Sequence, residues 1–352
     1  MSETIPASKP NEEAISEYYE GLKPFWHPVA RIDEIGDGPF GVVLLERPLV
    51  IVRLGGELVA MENVCRHLGA ALSLGEVING ETLRCKYHGW EYDGTGRCVH
   101  IPLRETEKIP SQARVEKFPC QVRYGLVWVC LDPESDAKLP EYPQFDDENF
   151  HKAPISVSED WKASMPRLVM AALDDTHFSW VHPGILGVAG QPTMPERLTD
   201  DPVTVDENGV LVSRYRTQMP ANPMSTGEDV ETDSTETVPA EFYNVATVNT
   251  MTNVITGAEG VSVTFNAYMP IRHDLTRNFC QLARDYDKDP ARDQAFEEFN
   301  HEIKEQDREI VESQRPWLLP PLKARMILYV RPEDVPLVEY QKYLERIGVP
   351  QI

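Results

Sequence analysis

From Phe40 to about Leu131 the apolar residues come in short runs. FGVVLLERPLVIVRLGGELVAMENV and YGLVWVCLD are dominated by Val, Ile and Leu, with Gly-Gly and Asp-Gly between runs. Runs of this kind, bounded by turn dipeptides, predict strands, and here a small all-β domain. The stretch DPESDAKLPEYPQFDDENF then turns acidic and proline-rich, which suits a surface boundary. Beyond it the period changes. Residues 161–182 read as helical, at least from Pro166 to Trp180. Strands are predicted at 208–218, 241–256, 261–270 and 278–286. A long helix is predicted from about Asp289 to Gln314, opened by Asp-Pro, and a shorter one at 332–347. Consecutive strands without βαβ alternation predict an α+β fold. It has an N-terminal segment 1–25, an all-β domain 26–148, and a larger domain 149–352 with an antiparallel sheet and flanking helices, of the helix-grip type.

Composition narrows the partners. A chain of 352 residues, 41% hydrophobic, supports about two cores. The formal charge of −23 repels phosphate backbones and argues against nucleic acid. No apolar run reaches the roughly 18 residues of a membrane span. The polar start MSETIPASKPNEEAISEYYEG carries no secretion pattern, so a cytoplasmic protein is expected. Acid concentrates at Glu228, Asp229, Glu231, Asp233 and Glu236, while Arg84, Lys86, Arg97, Arg104 and Lys108 make a local basic set. Of six cysteines, Cys98, Cys120, Cys130 and Cys280 have no partner at metal spacing and read as small buried hydrophobes.

Cys65 and Cys85 differ. The segment CRHLGAALSLGEVINGETLRCKYHGWEYDGTG holds Cys65-x-His67 and then Cys85-x-x-His88, each pair after a predicted strand. Coincidence would leave two core cysteines and two surface histidines. Zinc modules pair cysteine with cysteine and histidine with histidine, so mixed pairs suit zinc poorly. A Rieske [2Fe–2S] cluster takes two cysteines on one iron and two histidines on the other. One mixed pair on each of two loops meets that need. Gly69, Gly89, Gly94 and Gly96 let the loops fold tightly, and Tyr87 and Trp90 read as shielding.

CRH and CKYHGWEYDGTG resemble the cluster motif of the Rieske non-heme iron, or ring-hydroxylating, oxygenases, and YGLVWV is similar to that family's next strand. The resemblance spans residues 26 to about 316, and beyond the first domain it rests on short motifs. It implies a second, mononuclear Fe(II) held by two histidines and a carboxylate with positions left for O₂. LDDTHFSWVHPG supplies His177 and His182. These two converge only if a helix ends between them, and Pro183 biases His182 away from helical backbone. Two ordinary histidines at a helix end are the alternative. In AFEEFNHEIKEQDREIVESQ, the residues Phe296, Phe299, Ile303, Ile310 and Val311 form an apolar stripe, and Asp307 falls on it. A buried carboxylate needs a metal or an ionic partner, so an arginine pair is the alternative there. By resemblance the iron ligands are His177, His182 and Asp307.

The resemblance implies more. Asp174 matches the residue that links a cluster histidine of one subunit to an iron-binding histidine of the next in a homotrimer, and its three-residue spacing from His177 suits a shared helix face. Asp175 is its rival, pointing about 100° away on a helix. Ala171 stands where the family often has Asn, which puts that residue's role in doubt here. A ferredoxin or flavin reductase would supply electrons, docking on Arg66, Lys86, Arg97 and Arg104 unless these are ordinary surface charges. Ile185, Leu186, Met251, Asn253 and Phe265 are expected to line a pocket, and Phe178 and Trp180 to be core. A lone α-type chain is similar to the homotrimeric monooxygenases. This implies hydroxylation or oxidative O- or N-dealkylation of a small aromatic or heterocyclic compound. Two alternatives stay open: a cis-dihydroxylating arene dioxygenase, and a Rieske electron-transfer protein with an inert second domain.

Overall fold

The computed structural model describes residues 10–104, 108–157, 160–192, 194–198, 201, 203–220, 237–324 and 326–349. The acidic positions Glu228 to Glu236 lie outside these described residues. The chain divides into two compact units, one of residues 23–138 and one that joins 139–352 to the N-terminal residues through 22. The division falls at Leu139 rather than 148, and helix α1 (Glu12–Leu22) belongs to the second unit instead of standing as a separate segment. The physical reason is burial. Tyr18 and Leu22 of α1 are fully covered, and Tyr19 Oη accepts the backbone N–H of His273 at 3.1 Å.

The first unit is all-β, as its apolar runs predict. β1 (Trp26–Arg31), β11 (Leu126–Cys130) and β10 (Cys120–Arg123) form one antiparallel sheet. β2 (Phe40–Leu44), β3 (Arg47–Leu54), β4 (Glu57–Glu62) and β9 (Lys117–Phe118) form a second. β5 (Glu76–Ile78), β6 (Thr82–Arg84), β7 (Glu91–Asp93) and β8 (Cys98–His100) form a third, small sheet. Val50, Val52, Leu72, Leu83 and Tyr92 pack with Cys65, Cys85 and Cys98 into a single core. The two loop cysteines are therefore anchored from inside.

The second unit is built on nine antiparallel strands. Their order is β12 (His151–Lys152), β20 (Leu275–Arg284), β19 (Val261–Arg272), β18 (Thr250–Thr256), β17 (Thr237–Ala246), β16 (Leu211–Pro220) and β14 (Glu196–Arg197). β13 (Ser156–Val157) pairs with β20, and β15 (Val203–Val205) with β16. The run predicted as one strand at 241–256 is two, because the backbone turns between Ala246 and Thr250. Side chains alternate across this sheet. Val263 and Phe265 of β19 face one side, where Phe265 meets Tyr142 and Phe145. Helix α2 (Pro143–Asp146) lies on that side.

Helix α3 (Met165–Leu173) lies across β17, β18 and β19 on the other side. Pro166 starts it, and Met165, Leu168, Val169 and Leu173 are buried. The single helix predicted to Trp180 is broken. Asp174 is extended, and its Oδ1 accepts the backbone N–H of Thr176 at 2.9 Å and the Thr176 hydroxyl at 2.8 Å. This local side-chain turn competes with helix and wins. A four-residue helix, α4 (Phe178–Val181), follows. The long helix α5 (Asp293–Ser313) buries Phe296, Asn300 and Val311, and α6 (Val335–Arg346) closes the unit. Ile310 was expected on the buried stripe of α5 but is 49% exposed. One extra step of about 100° carries it off the face that Val311 and Asp307 share.

Candidate metal centres and active site

The two cysteine–histidine loops are built alike. Cys65 N–H donates to Ala70 O at 2.8 Å and Gly69 N–H to Cys65 O at 2.9 Å. Twenty residues on, Cys85 N–H donates to Trp90 O at 2.8 Å and Gly89 N–H to Cys85 O at 3.0 Å. Closing such a loop needs left-handed backbone at its fifth residue, and Gly69 and Gly89 adopt φ of +75° and +71°. The thiols of Cys65 and Cys85 are buried, whereas His67 and His88 are exposed at the tip. The two Nδ1 atoms lie 3.1 Å apart, so both imidazoles aim the same nitrogen inward. Trp90 stacks on His67 with its ring nearly parallel, 4.8 Å between centroids, and so fixes that ring. Tyr87 lies 3.8 Å from His88 but is 63% exposed, so it rims the tip more than it seals it.

Tyr92 is a partner that motif spacing did not single out. Its hydroxyl lies 3.2 Å from Cys65 Sγ and accepts the Arg66 backbone N–H at 3.1 Å. Burial first, then the Cys65 sulfur, pushes the Tyr92 phenol far up, so it stays protonated and can donate to sulfur. Arg84 is not part of a free basic patch. It bonds Glu91 at 2.9 Å and Glu76 at 3.3 Å. Arg66, Lys86, Arg97 and Arg104 are exposed. Cys98 and Cys130 are buried as expected, but Cys120 is only half-buried.

In the second unit, His177, His182 and Asp307 come together, one ligand atom of each within 4.8 Å of the others. His177 Nε2 and His182 Nε2 are 3.2 Å apart. Asp307 Oδ1 lies 3.5 Å from the first and 3.1 Å from the second. The helix break at Asp174 makes this possible. His177 precedes α4, His182 caps it, and the short helix turns both rings onto Asp307 of α5. No arginine pairs with Asp307 among the described contacts; its neighbours are the two histidines.

The outer nitrogens are held too. His177 Nδ1 lies 3.2 Å from Asp174 Oδ2, so the expected pair forms, through a side-chain turn rather than a shared helix face. Asp175 points elsewhere, onto Arg197 Nη1 at 2.8 Å. His182 Nδ1 lies 2.8 Å from Gln306 Oε1. An amide oxygen only accepts, so His182 donates from Nδ1 and turns Nε2 toward His177 and Asp307. Gln306 was not legible in sequence, because its partner is 124 residues away. Burial alone would push the His177 imidazolium down, but the carboxylates of Asp174 and Asp307 outweigh it and raise His177 to about 10. Burial pushes both carboxyls up, but His177 and Thr176 hold Asp174, and His177 and His182 hold Asp307, below the usual range.

A cavity opens beside His177, His182 and Asp307. Leu168, Ala171, Phe178, Leu186, Met219 and Phe242 make it largely apolar. Of the pocket residues expected, Leu186 and Asn253 line it. Ile185 and Met251 are buried without lining it, and Phe265 belongs to the opposite face of the sheet. Phe178 packs against the buried cluster of Tyr215, Met219, Ala240 and Phe242 and also lines the cavity, whereas Trp180 is 65% exposed.

Two family descriptions match in tandem. Residues 25–119 match the Rieske [2Fe–2S] domain, and residues 161–347 match the vanillate O-demethylase oxygenase C-terminal domain. Over 95% of its length the chain is 30% identical to the methylxanthine N1-demethylase NdmA of Pseudomonas putida, covering 91% of that protein. The chain belongs to the Rieske non-heme iron oxygenases. It is also 29% identical to the methylxanthine N3-demethylase NdmB of the same species, covering 84% of this chain and 82% of that one. The solved structure of NdmA with caffeine superposes with a TM-score of 0.76 at 29% identity, covering 94% of this chain and 92% of that one. Dicamba monooxygenase bound to 3,6-dichlorosalicylic acid, at 22% identity and a TM-score of 0.76 over 93% and 97% of the two chains, shares the fold.

As a member of this family the chain is an oxidoreductase, the oxygenase component of a multicomponent system, and its first unit is a [2Fe–2S] domain. The inert-domain alternative falls away, since the second unit matches an oxygenase domain. No described helix is long and apolar enough to cross a membrane.

Proposed function

We propose that the protein is the terminal oxygenase of a Rieske system that monooxygenates a small aromatic or heterocyclic compound, by hydroxylation or oxidative O- or N-dealkylation. The observation that carries this is the convergence of His177 Nε2, His182 Nε2 and Asp307 Oδ1 at one end of an apolar cavity. Cys65, Cys85, His67 and His88 would hold the cluster: two buried sulfurs and two converging Nδ1 atoms match its donor set. His177, His182 and Asp307 would hold one Fe(II): two Nε2 atoms and a carboxylate oxygen converge beside the cavity and match its donor set. Together the two groups supply electrons and O₂ activation. The chain's residues do the rest. Asp174 and Gln306 fix the imidazole rings and their protons, and the apolar wall keeps water from the reacting carbon.

The relatives named as N-demethylases favour dealkylation over cis-dihydroxylation. The exposure of His67 and His88 supports a homotrimer in which this tip meets Asp174 of a neighbouring copy. Arg66, Lys86, Arg97 and Arg104, exposed around the same unit, would receive an acidic ferredoxin or a flavin reductase. All six cysteines are free of disulfides, which suits a cytoplasmic setting.

The experiment is reconstitution with a surrogate reductase and NADH, following formaldehyde and hydroxylated products across aromatic ethers, N-methyl heterocycles and arenes. The purified protein should carry about three irons and two sulfides per chain. Two irons and no O₂-dependent product would defeat the oxygenase reading. Asp174→Asn should keep both metals yet lose turnover by roughly 100-fold or more, since a carboxylate oriented toward an imidazole is worth far more than an amide. Undiminished turnover would remove Asp174 from the electron route.

A further inference from the structure

Beside its apolar residues the cavity carries amides contributed by the sheet. Asn253 of β18 and Asn266 of β19 both line it. They are diagonal neighbours on one sheet face, since Asn253 pairs with Thr264 and Asn266 with Met251. A backbone neighbour sets the orientation of Asn253, and an amide neighbour pairs with Asn266. Asn253 Nδ2 donates to the backbone oxygen of Ala172 at 3.3 Å and to Asn244 Oδ1 at 3.1 Å. A backbone carbonyl only accepts, so this fixes the amide and uses both of its protons. What Asn253 offers the cavity is an acceptor, Oδ1. Asn266 is 6% exposed, and its Oδ1 accepts from Asn278 Nδ2 at 3.1 Å. What it offers the cavity is a donor, Nδ2, which has no partner among the described residues.

We propose that this donor–acceptor pair selects a neutral ring lactam, with Asn266 Nδ2 donating to a ring carbonyl and Asn253 Oδ1 accepting from the adjacent ring N–H. The inference rests on the oxygenase reading of the cavity and names the class of compound it takes. Diagonal cross-strand neighbours stand roughly 7–8 Å apart, a gap that the edge of one ring and its two hydrogen bonds bridge. The charges around the cavity argue against an anionic substrate. Apart from the two histidines, Lys304 is the one cation among its described lining residues, and Glu259 lines the same cavity. Lys304 also lines an outer depression together with Glu297 and Glu298. A buried donor left unpaired is costly, so a compound lacking the carbonyl is rejected more strongly than one merely of the wrong size.

The test is calorimetric titration of the holoenzyme with three probes: 1-methyluracil, which carries a ring N–H between carbonyls; 1,3-dimethyluracil, which has none; and 4-methoxybenzoate, an anion. The expected order is 1-methyluracil tighter than 1,3-dimethyluracil by roughly tenfold or more, with the benzoate weakest. Asn266→Asp replaces the donor by an acceptor while still accepting from Asn278, and should weaken 1-methyluracil by roughly 10- to 100-fold with cluster absorbance unchanged. The ranking of probes on the unaltered protein stands even if that variant fails to fold. Equal affinity for the two uracils, tighter binding of the benzoate, or no saturable binding of 1-methyluracil overturns the lactam class. The oxygenase reading is judged separately, by iron content and O₂-dependent product, and survives each of those results.

Discussion

The residues proposed to hold the two metal groups are assembled in different ways. Cys65, His67, Cys85 and His88 sit on two loops that repeat one backbone device, a cysteine whose N–H and C=O close the loop on themselves. The core beneath them is continuous with the sulfurs, and the histidines stand in solvent. His177, His182 and Asp307 share no such device. They depend on a broken helix meeting a second helix far along the chain, and His182 is fully buried. Local closure makes the first constellation tolerant of its surroundings. The second exists only while α3, α4 and α5 hold their packing, and for that reason each imidazole there has an outer partner.

The contrast is tested most strongly by removing a ligand from each side. Asp307→Ala should lower turnover by more than about 100-fold through loss of the metal itself, and leave the visible cluster absorption intact. Cys85→Ser should do the reverse to the spectra, abolishing that absorption while the other iron still loads. Metal analysis with absorption spectroscopy separates the two, and joint loss of both metals in either variant would break the picture of independent sites.

The next effect concerns the outer partners. Gln306→Leu leaves His182 Nδ1 unpaired and should weaken Fe(II) binding by roughly 10- to 100-fold. Gln306→Glu keeps an acceptor and should recover most of it. Competition with a chelator reads both, and equal affinities in the two variants would show that bulk rather than the hydrogen bond is what matters.

On the cluster side, Tyr92→Phe removes a donor to Cys65 Sγ. Hydrogen bonds to sulfur favour the reduced cluster, so the potential should fall by tens of millivolts, ~59 mV corresponding to ~1.4 kcal/mol for one electron. Redox titration of the intact protein measures it. An unchanged potential would confine Tyr92 to packing.

The smallest effect is on stability. Glu91 is buried and accepts from Thr82 at 2.8 Å and from Arg84 at 2.9 and 3.0 Å. Burial pushes its carboxyl up, but Thr82, Arg84 and His100 outweigh that and hold it below the ordinary 4.5. A depressed folded value means the unfolded chain takes the proton first. The contribution is therefore present above pH 4.5 and disappears as the pH falls through the folded value. Glu91→Gln should cost about 1–2 kcal/mol at neutral pH and little in acid. Denaturant melts at pH 7 and pH 3 check this, and a pH-independent loss would point to packing.

Much of this was legible along the chain. The all-β unit was readable because strand runs and turns are local, and the paired cysteine–histidine loops because their spacing is. Asp307 was readable as a polar residue on an apolar stripe of α5, a conflict that only a partner relieves. The break at Asp174 was not, since apolar periodicity favours helix through Trp180 and the Asx turn that overrides it is worth only a hydrogen bond or two. Ile310 and Trp180 were misplaced for a related reason: periodicity gives a face, not what covers it.

The sequence by itself thus determined the residue types, the loop spacing and the family. Each of these depends on chemistry within a few residues of itself. Tertiary structure alone decided that Gln306 meets His182, that Asp175 turns to Arg197, and that Asn253 and Asn266 share a cavity wall while Phe265 does not. These follow from strand register and helix packing. They are set by the summed burial of many side chains, so the residues concerned carry no mark of them.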